Sequence, residues 1–308
     1  MSGFRHEALI YHDEDELLAG TISFLNAGLE AEEAMLVAMP RQTLTLVRGE
    51  LNGSGDLIEF VDMEELGRNP GRIISAWKEF VAANVADERG ARGIGEPVWA
   101  SRSTAELEEC SRHEALLNLA FADSPEWSLL CPYDARALGA EVLGEVEHSH
   151  PYISAASFER TSTAYREPSQ NGDPFAGELP APTDVQLERS FTRIADLPEI
   201  RGAVSQLARA AGLDARAVEG LVLAVNEVAA NSLLHGGGRG LLRLWREPGY
   251  LCCDVTDEGR LEDPLVGRSR PELDRHGGRG LWLANQLCDL VQIRSSRDRT
   301  VVRLRMAT

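Results

Sequence analysis

The stretch NEVAANSLLHG, residues 226–236, closes an apolar-periodic run that begins after Asp214. Leu221, Val222, Val225, Val228 and Ala229 recur at the spacing of one helical face, so 214–235 is expected to be an amphipathic helix. Asp214 suits its start and Gly236 its end. Glu227, Asn231 and His235 follow at intervals of four, which places them on one stripe. An acid, an amide and an imidazole are costly to bury without partners. The stripe is therefore either a solvated face or part of a site.

Two later stretches favour a site. DVTDEG, residues 254–259, ends a strand-like run with Asp257 and Gly259. GGRGLWLANQLCD, residues 277–289, opens a helix with a glycine turn. Glycine lets backbone approach a ligand, and amides at a helix N-terminus attract phosphate. Around these stretches, residues 198–211 and 280–289 read as further helices. VQLERSFT, LLRLWRE, YLCCDVTD, VQIRSS and TVVRLRM read as strands. The expectation is an α+β layer, with helices on one face of a mixed or antiparallel sheet.

In order and spacing, NEVAANSLLHG, DVTDEG and GGRGLWLANQLCD resemble the GHKL ATPases, whose Bergerat fold is shared by gyrase, histidine kinases and mismatch-repair ATPases. Within them the chain is most similar to the bacterial anti-sigma-factor serine/threonine kinases, over residues 185–308. The resemblance implies ATP and Mg²⁺ as cofactors, Asn231 as the Mg²⁺ ligand and Glu227 as the general base. It implies that Asp257 accepts from the adenine amino group, that Gly259 leaves room for the ring and that Thr300 faces it. Gly278 and Gly280 would bend the lid so that backbone amides and Arg279 meet the phosphates. Arg201 would contact a protein partner, a sigma factor or an anti-sigma-factor antagonist. A homodimer is compatible with the family. Leu261 stands where the family's DxGxG has its last glycine, and the lid holds Asp263, Pro264 and Pro271.

Residues 1–163 alternate strand-like and helix-like segments, which favours an α/β domain with a parallel sheet wrapped by helices. EALIYH, AMLVAMP, LIEFVDM and WSLLCPY read as strands. Residues 14–28, RQTLTLVRGEL, a run from Asn69–Pro70 to Glu88, and residues 103–121 read as helices. FRHEALIYHDEDE, GRNPGRI, RGIGEPVW, ECSRHEALLN, CPYD and HSHP together resemble the MEDS sensory domain. That resemblance implies a RecA-like fold. YHDEDE stands after the first strand where a P-loop would carry GxxxxGK[ST], so nucleotide binding of the P-loop kind is not expected here.

His6, His12, Cys110, His113, Cys131, His148 and His150 all fall in this half, and imidazole with thiolate suits zinc or iron. Their spacings match no standard metal site. A small-molecule pocket of Glu96, Trp99, His113 and Tyr133, or plain buried hydrogen bonding, are the other readings. Trp77 and Trp127 read as core. REPSQNGDPFAGELPAPTD closes the interval 164–184 with four prolines and few apolar anchors, so it reads as a linker.

The chain has 308 residues and a formal net charge of −18. That acidity argues against direct binding of nucleic acid or anionic membrane. Five cysteines form no secreted disulfide framework, and the start lacks a signal-peptide pattern. No apolar run was expected to reach the roughly 20 residues of a membrane span. These features point to the cytoplasm, and the two resemblances imply a bacterial protein of signal transduction and transcription regulation. The competing reading of the second half is an ATP-binding module that sequesters its partner without catalysis.

Overall fold

The structure is a computed structural model and describes all residues except 1–2, 52–53, 86–89, 156–157, 171 and 272–277. The chain forms two compact units, Met1–Gly172 and Asp173–Thr308.

The first unit has strands β1 (Phe4–Tyr11), β2 (Ala34–Met39), β3 (Ile58–Asp62), β4 (Ala91–Gly95), β5 (Trp127–Asp134), β6 (Tyr152–Ala155) and β7 (Phe158–Thr161). Its helices are α1 (Glu14–Glu30), α2 (Arg41–Glu50), α3 (Met63–Leu66), α4 (Ile73–Asn84), α5 (Thr104–Ala120) and α6 (Ala140–Ser149). The strands form one sheet in the order β3-β2-β4-β5-β1-β6-β7. All pairs are parallel except β6 with β7, which run antiparallel. Met35–Met39 are buried without interruption, as expected of a strand covered on both faces. Asp13 caps α1 by accepting from the Glu16 N–H at 2.9 Å. Ser103 and Glu106 form a capping box at the start of α5.

Three features depart from the sequence reading. ARGIG forms β4, in the middle of the sheet between β2 and β5. Its glycines hide the strand signal, yet they have a packing reason. A Cβ on Gly93 would stand 2.7 Å from the ring of Trp77, which lies buried against the strand. The helix expected from Asn69 starts as a short 3₁₀ turn, Pro70–Arg72, before α4, and its expected end at 86–88 lies outside the described residues. Helix α6 and the β6–β7 hairpin are additional.

The second unit contains β8 (Leu187–Phe191), β9 (Gly240–Glu247), β10 (Tyr250–Asp257), β11 (Leu290–Ser295) and β12 (Thr300–Ala307), with α7 (Leu197–Ala210), α8 (Ala215–His235) and α9 (Arg279–Leu287). The sheet order is β11-β12-β10-β9-β8, and every pair is antiparallel. Strand alternation divides the residues between two faces. Leu251, Cys253 and Val255 pack with Val302, Leu304 and Met306 under the three helices. Helix α8 is long and apolar enough to cross a membrane by length and composition, contrary to expectation. Its Leu221, Ala224, Val225, Val228 and Ala229 are spent in this core.

Asp254 and Arg303 alternate to the other face and pair bidentately, Nε to Oδ1 at 2.7 Å and Nη2 to Oδ2 at 2.8 Å. The Arg303 guanidinium lies 4.7 Å from the Trp245 ring centre and also donates to the Pro180 carbonyl at 2.9 Å. Phe175 is buried, and its carbonyl accepts from the Ser295 N–H at 3.2 Å. The proline-rich stretch is therefore not a free tether: from Asp173 onward it belongs to the second unit. The missed anchors were Phe175 and the proline carbonyls, which still accept hydrogen bonds although proline donates none.

Removing one partner of a buried ion pair leaves the other uncompensated, which costs about 3–5 kcal/mol. Arg303→Met is expected to lower stability on that scale in urea unfolding. Arg243→Ala, which breaks the exposed pair with Glu188, is expected to cost less than about 1 kcal/mol. Comparable losses for both variants would contradict this assignment.

Glu96 follows β4 and is 4% exposed. It accepts from Thr43 Oγ1 at 2.8 Å and from the Tyr11 hydroxyl at 3.4 Å. Burial pushes its carboxyl from an ordinary 4.5 up to about 8, against the lowering effect of those two donors. The folded chain thus holds this proton more tightly than the unfolded chain. The resulting stabilisation is complete below about 4.5 and is lost as pH rises to about 8. In Glu96→Gln, the stability difference from the wild type should change across that window and level off above it. A pH-independent difference would rule this out.

Candidate functional site

Helix α8 starts where Asp214 accepts from the Ala217 N–H at 2.8 Å. Its buried stripe sets its rotation on the sheet. Asn231 then faces a pocket of about 270 Å³ beneath α9. The walls are Val228, Leu261, Val266, Leu281 and Val302, and the polar groups include Asn231, Asp257 and Thr300. Gly259 and Gly278 also border it.

Asp257 ends β10 and is tied on both carboxylate oxygens. The Ser232 hydroxyl donates to Oδ2 at 2.6 Å, and the Gly259 N–H donates to Oδ1 at 2.8 Å. The helix end and the strand end meet here with almost no space between them. A Cβ on Gly236 would stand 2.4 Å from the Asp257 carboxyl carbon, and one on Gly259 would stand 2.8 Å from Gly236 Cα. Thr300 holds the same turn from the far side, donating to the Gly259 carbonyl at 2.8 Å. Its hydroxyl is 2.7 Å from that of Ser295, which accepts from the Leu261 N–H at 3.0 Å. Donors then run in one direction, from Leu261 N–H through Ser295 and Thr300 to the Gly259 carbonyl. Leu261, in place of a glycine, contributes an apolar wall.

The glycines before and within α9 do different things. Gly278 is the N-cap, at φ 78°, a left-handed conformation that suits glycine. Gly280 lies inside the helix and makes no bend. A Cβ there would stand 2.8 Å from Asn231 Nδ2 and 3.2 Å from Glu227 Cβ, so its lack of a side chain lets α9 seat on α8. Gly277 and the preceding lid residues from 272 lie outside the described residues. Arg279 opens α9 and is exposed.

Glu227 is half-buried one turn from Asn231, about 6 Å along the axis. It stands beside the start of α9 rather than in the pocket lining. Arg201, on α7, lies away from the pocket and donates from Nη1 to Asn226 Oδ1 at 2.9 Å. The Asn226 amide in turn approaches Glu227 Oε1 at 3.4 Å. Sequence reading did not find Ser232, Ser295 or Asn226. The available signals were adjacency to Asn231 and Glu227, and the opposition of Ser295 to Thr300 across β11 and β12.

The donor set fits an adenine nucleotide. Apolar walls suit a flat ring, one carboxylate suits an exocyclic amino group, and α9 presents its N-terminus near Gly278.

In the first unit, the described contacts do not gather Glu96, Trp99, His113 and Tyr133. Glu96 bonds Thr43 and Tyr11, Trp99 lies under the Arg102 guanidinium, and Tyr133 meets the His150 ring edge-on at 5.5 Å. His12 is exposed beside Glu16, His148 lies near Glu145, and Cys110 approaches the Pro97 carbonyl. His6, Cys131 and His150 instead converge on Glu114. Burial, with help from His150, pushes His6 down to about 4 and raises the Cys131 thiol. Glu114 is lowered: burial alone would raise it, but the neighbouring His150 and His6 imidazoles outweigh that.

Residues 5–151 match the family model described as MEDS, the methanogen/methylotroph, DcmR sensory domain. Residues 192–306 match that of the histidine kinase-like ATPase domain. A comparison with curated proteins finds no match. Among solved structures, the chain is similar to the RsbU and RsbW domains of Rv1364c from Mycobacterium tuberculosis, at 17% identity and a TM-score of 0.30. The match covers 40% of this chain and 32% of that one, a likeness too weak to bear on function. The chain therefore carries an N-terminal MEDS domain followed by a C-terminal histidine kinase-like ATPase domain.

Proposed function

We propose that the C-terminal domain binds ATP with Mg²⁺, and that the chain is a cytoplasmic regulator of the anti-sigma-factor type. It phosphorylates a serine or threonine of an anti-sigma-factor antagonist and carries a sensory N-terminal domain. The observation that carries this reading is the convergence of Asn231, Asp257, Gly259, Gly278 and Thr300 on one pocket at the start of α9.

Asp257 has both oxygens fixed by Ser232 and Gly259, so its remaining lone pairs are oriented in advance to accept from the adenine amino group. Asn231 offers its amide oxygen to Mg²⁺, a hard cation that favours oxygen donors. Glu227, one turn away, takes the proton from the attacking hydroxyl. That oxygen bonds to the γ-phosphorus, the bond to the β-phosphate oxygen breaks, and ADP leaves. Arg201 touches the protein partner, and its bond to Asn226 places it two hydrogen bonds from the base. A second reading keeps ATP binding without transfer. It is favoured by Leu261, which replaces the last glycine of the turn with an apolar wall.

Asp257→Asn is expected to weaken ATP·Mg²⁺ binding by about 10–100-fold in calorimetry, the worth of a hydrogen bond to a charged acceptor. Unchanged affinity would remove Asp257 from the site.

Glu227→Gln is expected to bind ATP within about twofold of the wild type, while transfer from labelled ATP to the antagonist falls by about 10²–10⁴-fold. If the wild type binds ATP but labels no antagonist, the sequestering module is the correct reading.

A further inference from the structure

We propose that His6, Glu114, Cys131 and His150 form a four-coordinate Zn²⁺ site inside the MEDS domain. The site is independent of the ATP pocket. The four residues come from separate elements: His6 from β1, Cys131 from the adjacent β5, Glu114 from the middle of α5, and His150 from the end of α6. In the parallel register His6 pairs with Leu129 and Ala8 with Cys131, so His6 and Cys131 project from the same face of the sheet.

The four donors are compact enough for one small ion. One donor atom from each residue lies within 4.8 Å of all the others. Three of the edges are His6 Nε2 to Glu114 Oε2 at 3.2 Å, His150 Nε2 to Glu114 Oε2 at 3.4 Å, and Cys131 Sγ to His6 Nε2 at 3.5 Å. Bonds of about 2.0–2.3 Å from a central zinc give donor–donor edges of about 3.3–3.8 Å.

The surrounding hydrogen bonds turn the right atoms inward. Asn118 donates from Nδ2 to the Ser149 carbonyl at 2.7 Å, which leaves Oδ1 to accept from His6 Nδ1 at 3.2 Å. His150 Nδ1 faces the Val146 carbonyl at 2.9 Å, an acceptor only. Each ring thus carries its proton on Nδ1 and aims an Nε2 lone pair at Glu114. Such outer partners are what fix ligating imidazoles in metal sites. Both Glu114 oxygens and His150 Nε2 are buried without an aligned donor among the described residues. Lone pairs facing lone pairs in a dry interior are unfavourable, and a cation at their centre removes the conflict. The charges also balance. Binding sends the Cys131 thiol proton to solvent, and thiolate plus carboxylate neutralise Zn²⁺ between two neutral imidazoles. Four protein donors make a closed site of the structural kind.

The test uses the full chain, prepared without a metal-affinity tag. Elemental analysis should find close to one zinc per chain. After chelation, Co²⁺ should restore one equivalent of a four-coordinate spectrum with a sulfur-to-cobalt charge-transfer band, displaced by Zn²⁺. Cys131→Ser should lose that band, and Asn118→Ala should weaken Zn²⁺ binding by about 10–100-fold. His12→Ala, at an exposed histidine, should change nothing. Less than about one tenth of an equivalent of zinc, with no cobalt spectrum from the wild type, would overturn the proposal. A Cys131→Ser spectrum identical to that of the wild type would do the same. The wild-type titration decides the matter even if a variant fails to fold.

Discussion

The Asp257 carboxylate is held where a helix and a strand end side by side. Ser232 grips it from α8, and the Gly259 amide grips it from its own turn. Only a glycine at 236 allows this approach. A half-buried acid with both oxygens bonded cannot swing freely, so the floor of the pocket is set before anything enters. Thr300 adds a second restraint by holding the Gly259 carbonyl. The lining groups thus inherit their positions from an antiparallel sheet and one helix, with little left to side-chain entropy.

The second domain was largely legible because its signals are local. Alternation in YLCCDVTD and TVVRLRM, and the 3.6-residue period before Asn231, fix strand and helix without distant information. Five polar or glycine positions around the pocket could be named from spacing and family likeness. Ser232 and Ser295 could not, since a serine beside a motif looks like any other until its cross-chain partner is known. That Gly280 lets α9 approach α8 was not legible, because helix–helix approach is a tertiary fact.

The first domain shows the opposite balance. Strands β1, β2, β3 and β5 read as apolar runs, but the glycines of β4 hide its strand signal until Trp77 is placed against it. The convergence at Glu114 joins positions 6, 114, 131 and 150. No linear spacing rule reaches that far. What brings them together is a sheet whose order, with β1 between β5 and β6, differs from chain order. Glu114 itself was passed over beside His113, since a helix carrying several acids offers no sign of which one points inward.

The strap from Asp173 to Pro182 has a practical meaning for anyone dividing this protein. Family likeness begins only at residue 192, yet Phe175 is buried with its carbonyl on the Ser295 N–H, and the Pro180 carbonyl accepts from the buried Arg303. A fragment started at the family boundary would lose β8 and the Pro180 partner of Arg303, and would leave a sheet edge open to its neighbours. The functional border of the domain lies upstream of its recognisable one.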